Sequence, residues 1–188
     1  MENLLTLDYF RQEDTTALAK SLLGKTLFTN FNNQLTGGII IETEAYLGAT
    51  DRACHAFGNR RTNRTEPMFA AGGIAYVYLC YGMHHLFNIV THKKDTPHAI
   101  LIRAIHPTHG IPIMRERRKN RSPLSSGPGT LTQALGITTS HTGLSLTRNQ
   151  IFLQENPNLV GEIQTTPRIG VDYAGEDAKL PYRFLLKF

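Results

Sequence analysis

Residues 74–91 read IAYVYLCYGMHHLFNIVT, and the fold turns on them. Two β-rich runs, 74–81 and 86–91, flank GMHH, the pattern of a β-hairpin with its tip near Gly82. Side chains alternate along a strand, so Tyr76, Tyr78 and Cys80 take one side while Ala75, Val77, Leu79 and Tyr81 take the other. Tyr81 and Met83 then project at the tip as an apolar pair. Core packing and cross-strand pairing explain such a tyrosine-rich run. An apolar tip beside basic patches is also how a protein wedges into a base stack.

Upstream, KTLFT (25–29) and GGIIIETEAY (37–46) are β-branched runs across an Asn-rich turn, a second hairpin. Before them, DTTALAKSLL (14–23) opens with capping residues, runs through good helix formers and stops at Gly24, which predicts an amphipathic helix. Downstream, HAILIRAI (98–105) is another strand, followed by a helix-prone basic segment, the turn-rich SPLSSGPGT and a short apolar run to Ile137. Strands return over Leu144–Leu153 and Arg168–Phe188. Residues 47–69 carry no sustained periodicity, and loops that long in a small domain are functional or disordered. Strands in succession with helices scattered among them predict an α+β fold on a mainly antiparallel sheet rather than a parallel βαβ array.

The chain has 188 residues, 40% of them apolar and 19% charged, which suits one folded unit and not a disordered chain. No run approaches the ~18 apolar residues of a membrane span, and the start MENLLTLDYFRQED is acidic where a secretory signal is basic. The expected location is the cytoplasm. Cys54 and Cys80 make no disulfide framework and no zinc spacing, so two free thiols are expected. The net charge of +5 is concentrated: Arg52, Arg60, Arg61 and Arg64 crowd one stretch, and Arg115, Arg117, Arg118, Lys119 and Arg121 another. Paired basic patches are the electrostatic footprint of a phosphate-rich partner, and equally describe a solvated face.

On the strand ending at Tyr46, alternation puts Glu42, Glu44 and Tyr46 on one face and Ile39, Ile41, Thr43 and Ala45 on the other. That face is either solvated or supplies a general base and a stacking ring. Arg103 interrupts an apolar strand, and a partly buried guanidinium needs an anion, for which Glu44 is the economical candidate. Asn88, lodged in LFNIV, demands hydrogen bonds wherever it is buried. His55, His84, His85 and His92 show no HxxxH or HExxH spacing, GGIA is no phosphate-binding glycine loop, and no GxSxG elbow is present, so no metal, nucleotide cofactor or serine nucleophile is expected.

Taken in order, IETEAYLGATDRACHAFGNRRTNRTEPMF, AYVYLCYGMHHLFNIV, AILIRAIHP, SGPGTLTQALGI and RIGVDYAGED resemble the alkyladenine (3-methyladenine) DNA glycosylase family over nearly the whole chain. The resemblance implies one domain, 1–188, with a curved, mainly antiparallel sheet, surrounding helices and a protruding hairpin. It also implies a monomeric, metal-free enzyme that flips a damaged purine from duplex DNA and hydrolyses its N-glycosidic bond. By position, Glu44 matches the general base, Arg103 an arginine that helps hold the attacking water, and the Ile169 carbonyl that water's third partner. Tyr46, His55 and Tyr78 match the walls around the flipped base, with His55 also placed to bond its edge. Asn88 matches the asparagine that clashes with the guanine amino group, and Tyr81, with Met83 near it, the side chain that fills the gap in the duplex. Arg60, Arg61, Arg64 and Thr130 fall at the DNA backbone, Thr130 standing where the family commonly has Lys. AAGG (70–73) replaces a Pro-containing turn.

Two other classes fit parts of the sequence. A non-catalytic nucleic-acid-binding β-domain explains arginines and tyrosines but not Glu44 with Arg103. A glycoside hydrolase using Glu42 and Glu44 is disfavoured, because residues two apart lie ~7 Å along one strand and act from one side.

Overall fold

Asp14 begins the first substantial helix: its carboxylate accepts the N–H groups of Thr16 and Ala17, both at 2.9 Å, a cap worth about 1 kcal/mol. The computed structural model describes residues 3–156 and 161–187, so Met1, Glu2 and Phe188 of the expected domain and last strand lie outside the described residues. A single helical turn, α1 (Leu7–Phe10), precedes α2 (Thr15–Ser21). β1 (Thr26–Phe31) and β2 (Gln34–Tyr46) follow, joined at Asn32 and Asn33, whose φ of 55° and 59° suit a two-residue hairpin turn that follows sheet twist. β3 (Ala75–Cys80), β4 (His84–Thr91) and β5 (His98–His109) continue the sheet. Two helices, α3 (Ile111–Arg117) and α4 (Pro128–Leu135), precede β6 (Thr147–Arg148), β7 (Ile151–Gln154), β8 (Glu162–Thr166) and β9 (Arg183–Lys187).

All described pairings are antiparallel, in the order β3-β4-β5-β2-β1-β7-β6, with β9 bridging β2 and β8. The result is a curled α+β half-barrel in which β2 is central. One edge of β2 pairs with β5, and the other pairs first with β1 and then, at Glu42–Glu44, with β9.

Alternation divides the sheet into a packed face and a working face. Ala75, Val77, Phe87, Ile89, Ile100 and Ile102 point into a core shared with Leu18 and Leu22 near α2 and Leu131 and Leu135 of α4. Their neighbours Tyr76, Tyr78, Asn88, Leu101 and Arg103 face a cavity on the other side. Burying one such large apolar side chain is worth ~1.5–3 kcal/mol, so the core fixes which residues remain for the site.

Several expectations change. In β2, Ile40 and Ala45 both enter the core, which strict alternation forbids; register shifts at Ile40/Glu42 and Glu42/Thr43 mark a β-bulge that switches parity. Ile41 therefore does not continue the Thr43–Ala45 face into the core. His84 and His85 begin β4 instead of forming the turn, which is carried by Tyr81, Gly82 and Met83; Tyr81 has φ 50°. The stretch 168–182 is no strand: a 3-10 segment covers Asp172–Lys179, and β9 starts only at Arg183. Only Thr147–Arg148 and Ile151–Gln154 are strand within 144–153, and β8 appears where no strand was expected. The 47–69 excursion is ordered into three short 3-10 segments. No helix among the described residues is long and apolar enough to cross a membrane.

Candidate active site

Glu44 lies fully buried near the end of β2, and every hydrogen bond it accepts comes from a residue lining the cavity. Its Oε1 accepts the Ile169 N–H at 2.8 Å and faces the Arg103 guanidinium at 3.3 Å, while its Oε2 accepts the Tyr46 hydroxyl at 2.8 Å. A carboxylate has about four lone-pair sites. Oε1 accepts the Ile169 N–H with Arg103 beside it as an ion-pair partner, and an acceptor site remains on Oε2 next to the Tyr46 hydroxyl. Burial pushes the Glu44 carboxyl above its ordinary value, opposed by Arg103, the Ile169 N–H and Tyr46. A carboxylate so raised is a stronger base than a solvated one.

Glu42 holds this arrangement from behind. Its Oε1 accepts from Arg103 Nε at 2.7 Å and from Arg183 Nε at 2.6 Å. Arg103 thus binds Glu42 more closely than Glu44, the partner expected from sequence. Fixed by Glu42, its other arm stays directed at the buried carboxylate.

A second buried pair anchors the other wall. Arg168 grips Asp51 at 2.5 and 2.8 Å and donates to the carbonyls of Ala45 at 2.9 Å and Asp177 at 3.1 Å. Its guanidinium lies against the rings of Tyr46 (4.8 Å) and Tyr182 (5.3 Å). One side chain therefore ties the end of β2, the loop leading to His55 and the segment carrying Ile169.

The cavity measures about 210 Å³, below the ~300–1,000 Å³ of sites for drug-sized ligands, and suits a single small ring system. Tyr46, His55, Tyr76, Tyr78 and Tyr173 give it aromatic walls, with Asn88, Leu101 and Arg103 across from them. Asn88 donates both amide protons inward, to the carbonyls of Tyr76 (3.2 Å) and Leu86 (3.3 Å). His55 is held neutral, its value pushed down to about 4 by burial and then by Arg64 and Arg60. Both its ring nitrogens are engaged, Nδ1 with the Tyr76 hydroxyl at 3.0 Å and Nε2 with Arg64 at 3.3 Å. Burial lifts the Cys54 thiol to about 11, so it stays protonated and is no nucleophile. Among the described residues no His, Cys, Asp or Glu cluster is arranged to hold a metal.

The residues singled out from sequence divide by position. Tyr46, His55, Tyr78, Asn88, Arg103 and Ile169 line one cavity, Glu44 lies buried behind it bonded to Tyr46 and Ile169, and Tyr81, 90% exposed, stands at the rim. Met83, 68% exposed, lines a different cleft with His84, His85 and Arg117. Arg60 and Arg64, joined by Arg52, line a cleft beside the cavity. Arg61 is occupied: it forks onto Glu66 at 2.7 Å twice and reaches Asp95 at 3.2 Å. Thr130 caps α4, accepting the N–H groups of Ser126 and Gly127, both at 3.1 Å. In the second basic run Arg117 and Arg118 turn inward, onto Gln34, Thr36 and Ala134, and onto Gln133 and Pro123. Arg115, Lys119 and Arg121 remain exposed.

Sequence reading placed Tyr76 on the correct face but left it out of the cavity, although it shares strand parity with Tyr78. Tyr173, Asp51 with Arg168, and Arg183 behind Glu42 were also missed. Nothing local to those residues announces their partners.

A small aromatic cavity over a buried, activated carboxylate, flanked by an arginine cleft, belongs to an enzyme that acts on a flat heterocycle joined to an anionic chain. Comparison with known proteins gives the family. The sequence model described as Methylpurine-DNA glycosylase (MPG) matches residues 9–188. A protein of Chlamydia felis (strain Fe/C-56) is 50% identical over 187 residues, covering 97% of this chain and 96% of its own length, and bears the name "Putative 3-methyladenine DNA glycosylase". Relatives with that same name from Chlamydia pneumoniae, 44% identical (97% and 95% covered), and Bacillus cereus (strain G9842), 43% identical (95% and 93% covered), agree. The chain belongs to the methylpurine-DNA glycosylase family and is a DNA glycosylase.

Proposed function

We propose that this enzyme takes alkylated or deaminated purines (3-methyladenine, 7-methylguanine, hypoxanthine, ethenoadenine) out of duplex DNA into the aromatic cavity and hydrolyses the N-glycosidic bond, initiating base excision repair. The observation carrying the reading is Glu44: a buried carboxylate, raised by burial, with one free acceptor site beside Tyr46 and with Arg103 and the Ile169 main chain as its companions. In the mechanism, Oε2 of Glu44 takes a proton from a water held also by Arg103 and the Ile169 carbonyl. The water oxygen bonds to C1′ as the C1′–N bond breaks, and the bonding electrons leave on the purine.

Alkylation at N3 or N7 makes the purine cationic, so it departs readily once a water is poised. Tyrosine faces attract such a ring, adding ~0.5–2 kcal/mol. Asn88, at 4% exposure with its amide protons turned inward, presents a fixed wall against the amino group of normal guanine. Tyr81 occupies the gap left by the flipped base, and Arg52, Arg60 and Arg64 hold phosphates beside it. Among the described residues no lysine lines the cavity, so no amine is there to form a Schiff base and the enzyme is monofunctional. In this reading the enzyme acts as a monomer.

The test is single-turnover release from duplexes carrying each lesion, with abasic sites counted before and after alkali. Release with strand breaks only after alkali is the expected result. Breaks without alkali contradict the monofunctional reading, and tight DNA binding with no release from any lesion favours a binding module.

A further inference from the structure

His55, Tyr76 and Arg64 form a hydrogen-bond chain whose direction is fixed by the donor inventory alone. Arg64 reaches His55 Nε2 at 3.3 Å, and a guanidinium carries only donors. Nε2 must therefore be the acceptor. A neutral imidazole with an accepting Nε2 carries its proton on Nδ1, and that nitrogen lies 3.0 Å from the Tyr76 hydroxyl. The Tyr76 oxygen thus accepts from His55. With His55 donating to its oxygen, the Tyr76 phenol keeps its own proton to give to another partner.

No acceptor for that proton appears among the bonds of the described residues, yet Tyr76 is only 3% exposed and lines the cavity. A buried donor without a partner is costly, and here the cavity is where a partner would arrive. Arg64 lies behind this wall: it lines the neighbouring clefts and sits 5.0 Å over the ring of Tyr78, so it sets the polarity of the wall from outside. Burial lifts the Tyr76 phenol to about 12, so it remains a protonated donor at any working pH.

We infer that Tyr76 donates a hydrogen bond to a lone pair on the edge of the bound purine, and that Arg64 and His55 lock it in that role. The inference rests on the proposed base-binding role of the cavity. Its consequence is selectivity by substrate charge. A neutral purine such as hypoxanthine or ethenoadenine leaves with its bonding electrons and no compensating positive charge. A donor at a ring nitrogen or carbonyl strengthens as that charge builds, which is when an interaction accelerates the reaction. A purine alkylated at N3 or N7 has lost one such lone pair and leaves as a neutral molecule, so it draws little on the donor. Tyr76 is then a catalytic residue for neutral lesions, and Arg64 and His55 are positioning residues.

The experiment compares wild type, Tyr76→Phe and Arg64→Met in single-turnover release at saturating enzyme, on duplexes carrying hypoxanthine or 7-methylguanine. Tyr76→Phe is expected to slow hypoxanthine release by on the order of 10²-fold, the low end of what one well-placed donor supplies, and 7-methylguanine release by less than about threefold. Arg64→Met, at an exposed position, frees the His55 tautomer and lowers the ratio of hypoxanthine to 7-methylguanine release, over and above the equal loss on both lesions that a lost phosphate contact brings. Equal losses on both lesions would reduce Tyr76 to a wall and overturn the inference, as would an unchanged hypoxanthine rate. Nitrogen-15 NMR of the His55 imidazole in the intact protein tests the chain without any substrate: protonated Nδ1 is expected, and protonated Nε2 overturns it. Release of neither lesion by wild type would instead count against the base-binding reading itself.

Discussion

Asp51→Ala is expected to destabilise the protein by about 3–5 kcal/mol, the range for breaking a buried ion pair from one side. Asp51 accepts four hydrogen bonds: Oδ1 from Arg168 at 2.8 Å and the Ala53 N–H at 3.0 Å, Oδ2 from Arg168 at 2.5 Å and the Leu47 N–H at 3.0 Å. The paired side chains are 0% and 2% exposed, so no solvent replaces the carboxylate. Alanine leaves the Arg168 charge facing only the carbonyls of Ala45 and Asp177, with the N–H groups of Leu47 and Ala53 unpaired. Against a typical total of ~5–15 kcal/mol this is a large fraction, and at ~2–4 °C per kcal/mol it lowers Tm by ~6–20 °C. Urea unfolding followed by far-UV circular dichroism should show a lower midpoint at constant slope. Asp51→Leu combined with Arg168→Met removes both charges and should recover much of the loss. A loss under about 1 kcal/mol for Asp51→Ala, or a double variant no more stable than the single, would refute the clamp.

The remaining predictions concern the DNA face and pH. Tyr81→Ala should slow release of a paired lesion while leaving an already unpaired one nearly unchanged, with stability within ~0.5 kcal/mol because the ring is exposed; equal slowing on both substrates argues against a gap-filling role. Arg60→Ala should reduce the slope of log affinity against log salt by about one, whereas Arg61→Ala should not, since Glu66 and Asp95 already neutralise Arg61; equal changes from the two would contradict this division. His55 and His98 are both held at about 4 by burial first, against an ordinary 6.5. The unfolded chain then binds more protons between pH 6.5 and 4, so stability should fall as pH drops through that window. A Tm constant from pH 6.5 to 4 would show that neither imidazole is kept neutral.

What was legible in the sequence follows from what local rules control. Parity along β3 set Tyr76 and Tyr78 apart from the core residues Ala75 and Val77, because the β3–β4 ladder pairs in simple register, whereas on β5 Ile105 joins Ile100 and Ile102 in the core across the register shifts with β2. Parity failed in β2, where the bulge near Ile41 comes with the passage of one edge from β1 to β9, a partner about 140 residues downstream. The same distance hid Arg183 behind Glu42. A buried arginine predicted a carboxylate partner for Arg103, but the choice between Glu42 and Glu44 is set by geometry across three strands. Clustered arginines do not share one environment: Arg61, Arg117 and Arg118 spend their guanidinium groups on the protein itself, which side-chain direction decides and composition does not record. The site positions of Glu44 and Ile169 came from the family resemblance, since no spacing rule links residues 125 apart.

The central claim is that Glu44 activates the water. Glu44→Gln keeps the shape and the capacity to accept from Ile169 while removing the basic oxygen. Single-turnover release of hypoxanthine and 7-methylguanine should fall by at least ~10²-fold, the lower bound for a positioned general base, with affinity for lesion-bearing duplex kept within about threefold. Release by Glu44→Gln within tenfold of wild type on both lesions, at equal DNA affinity, would contradict the account.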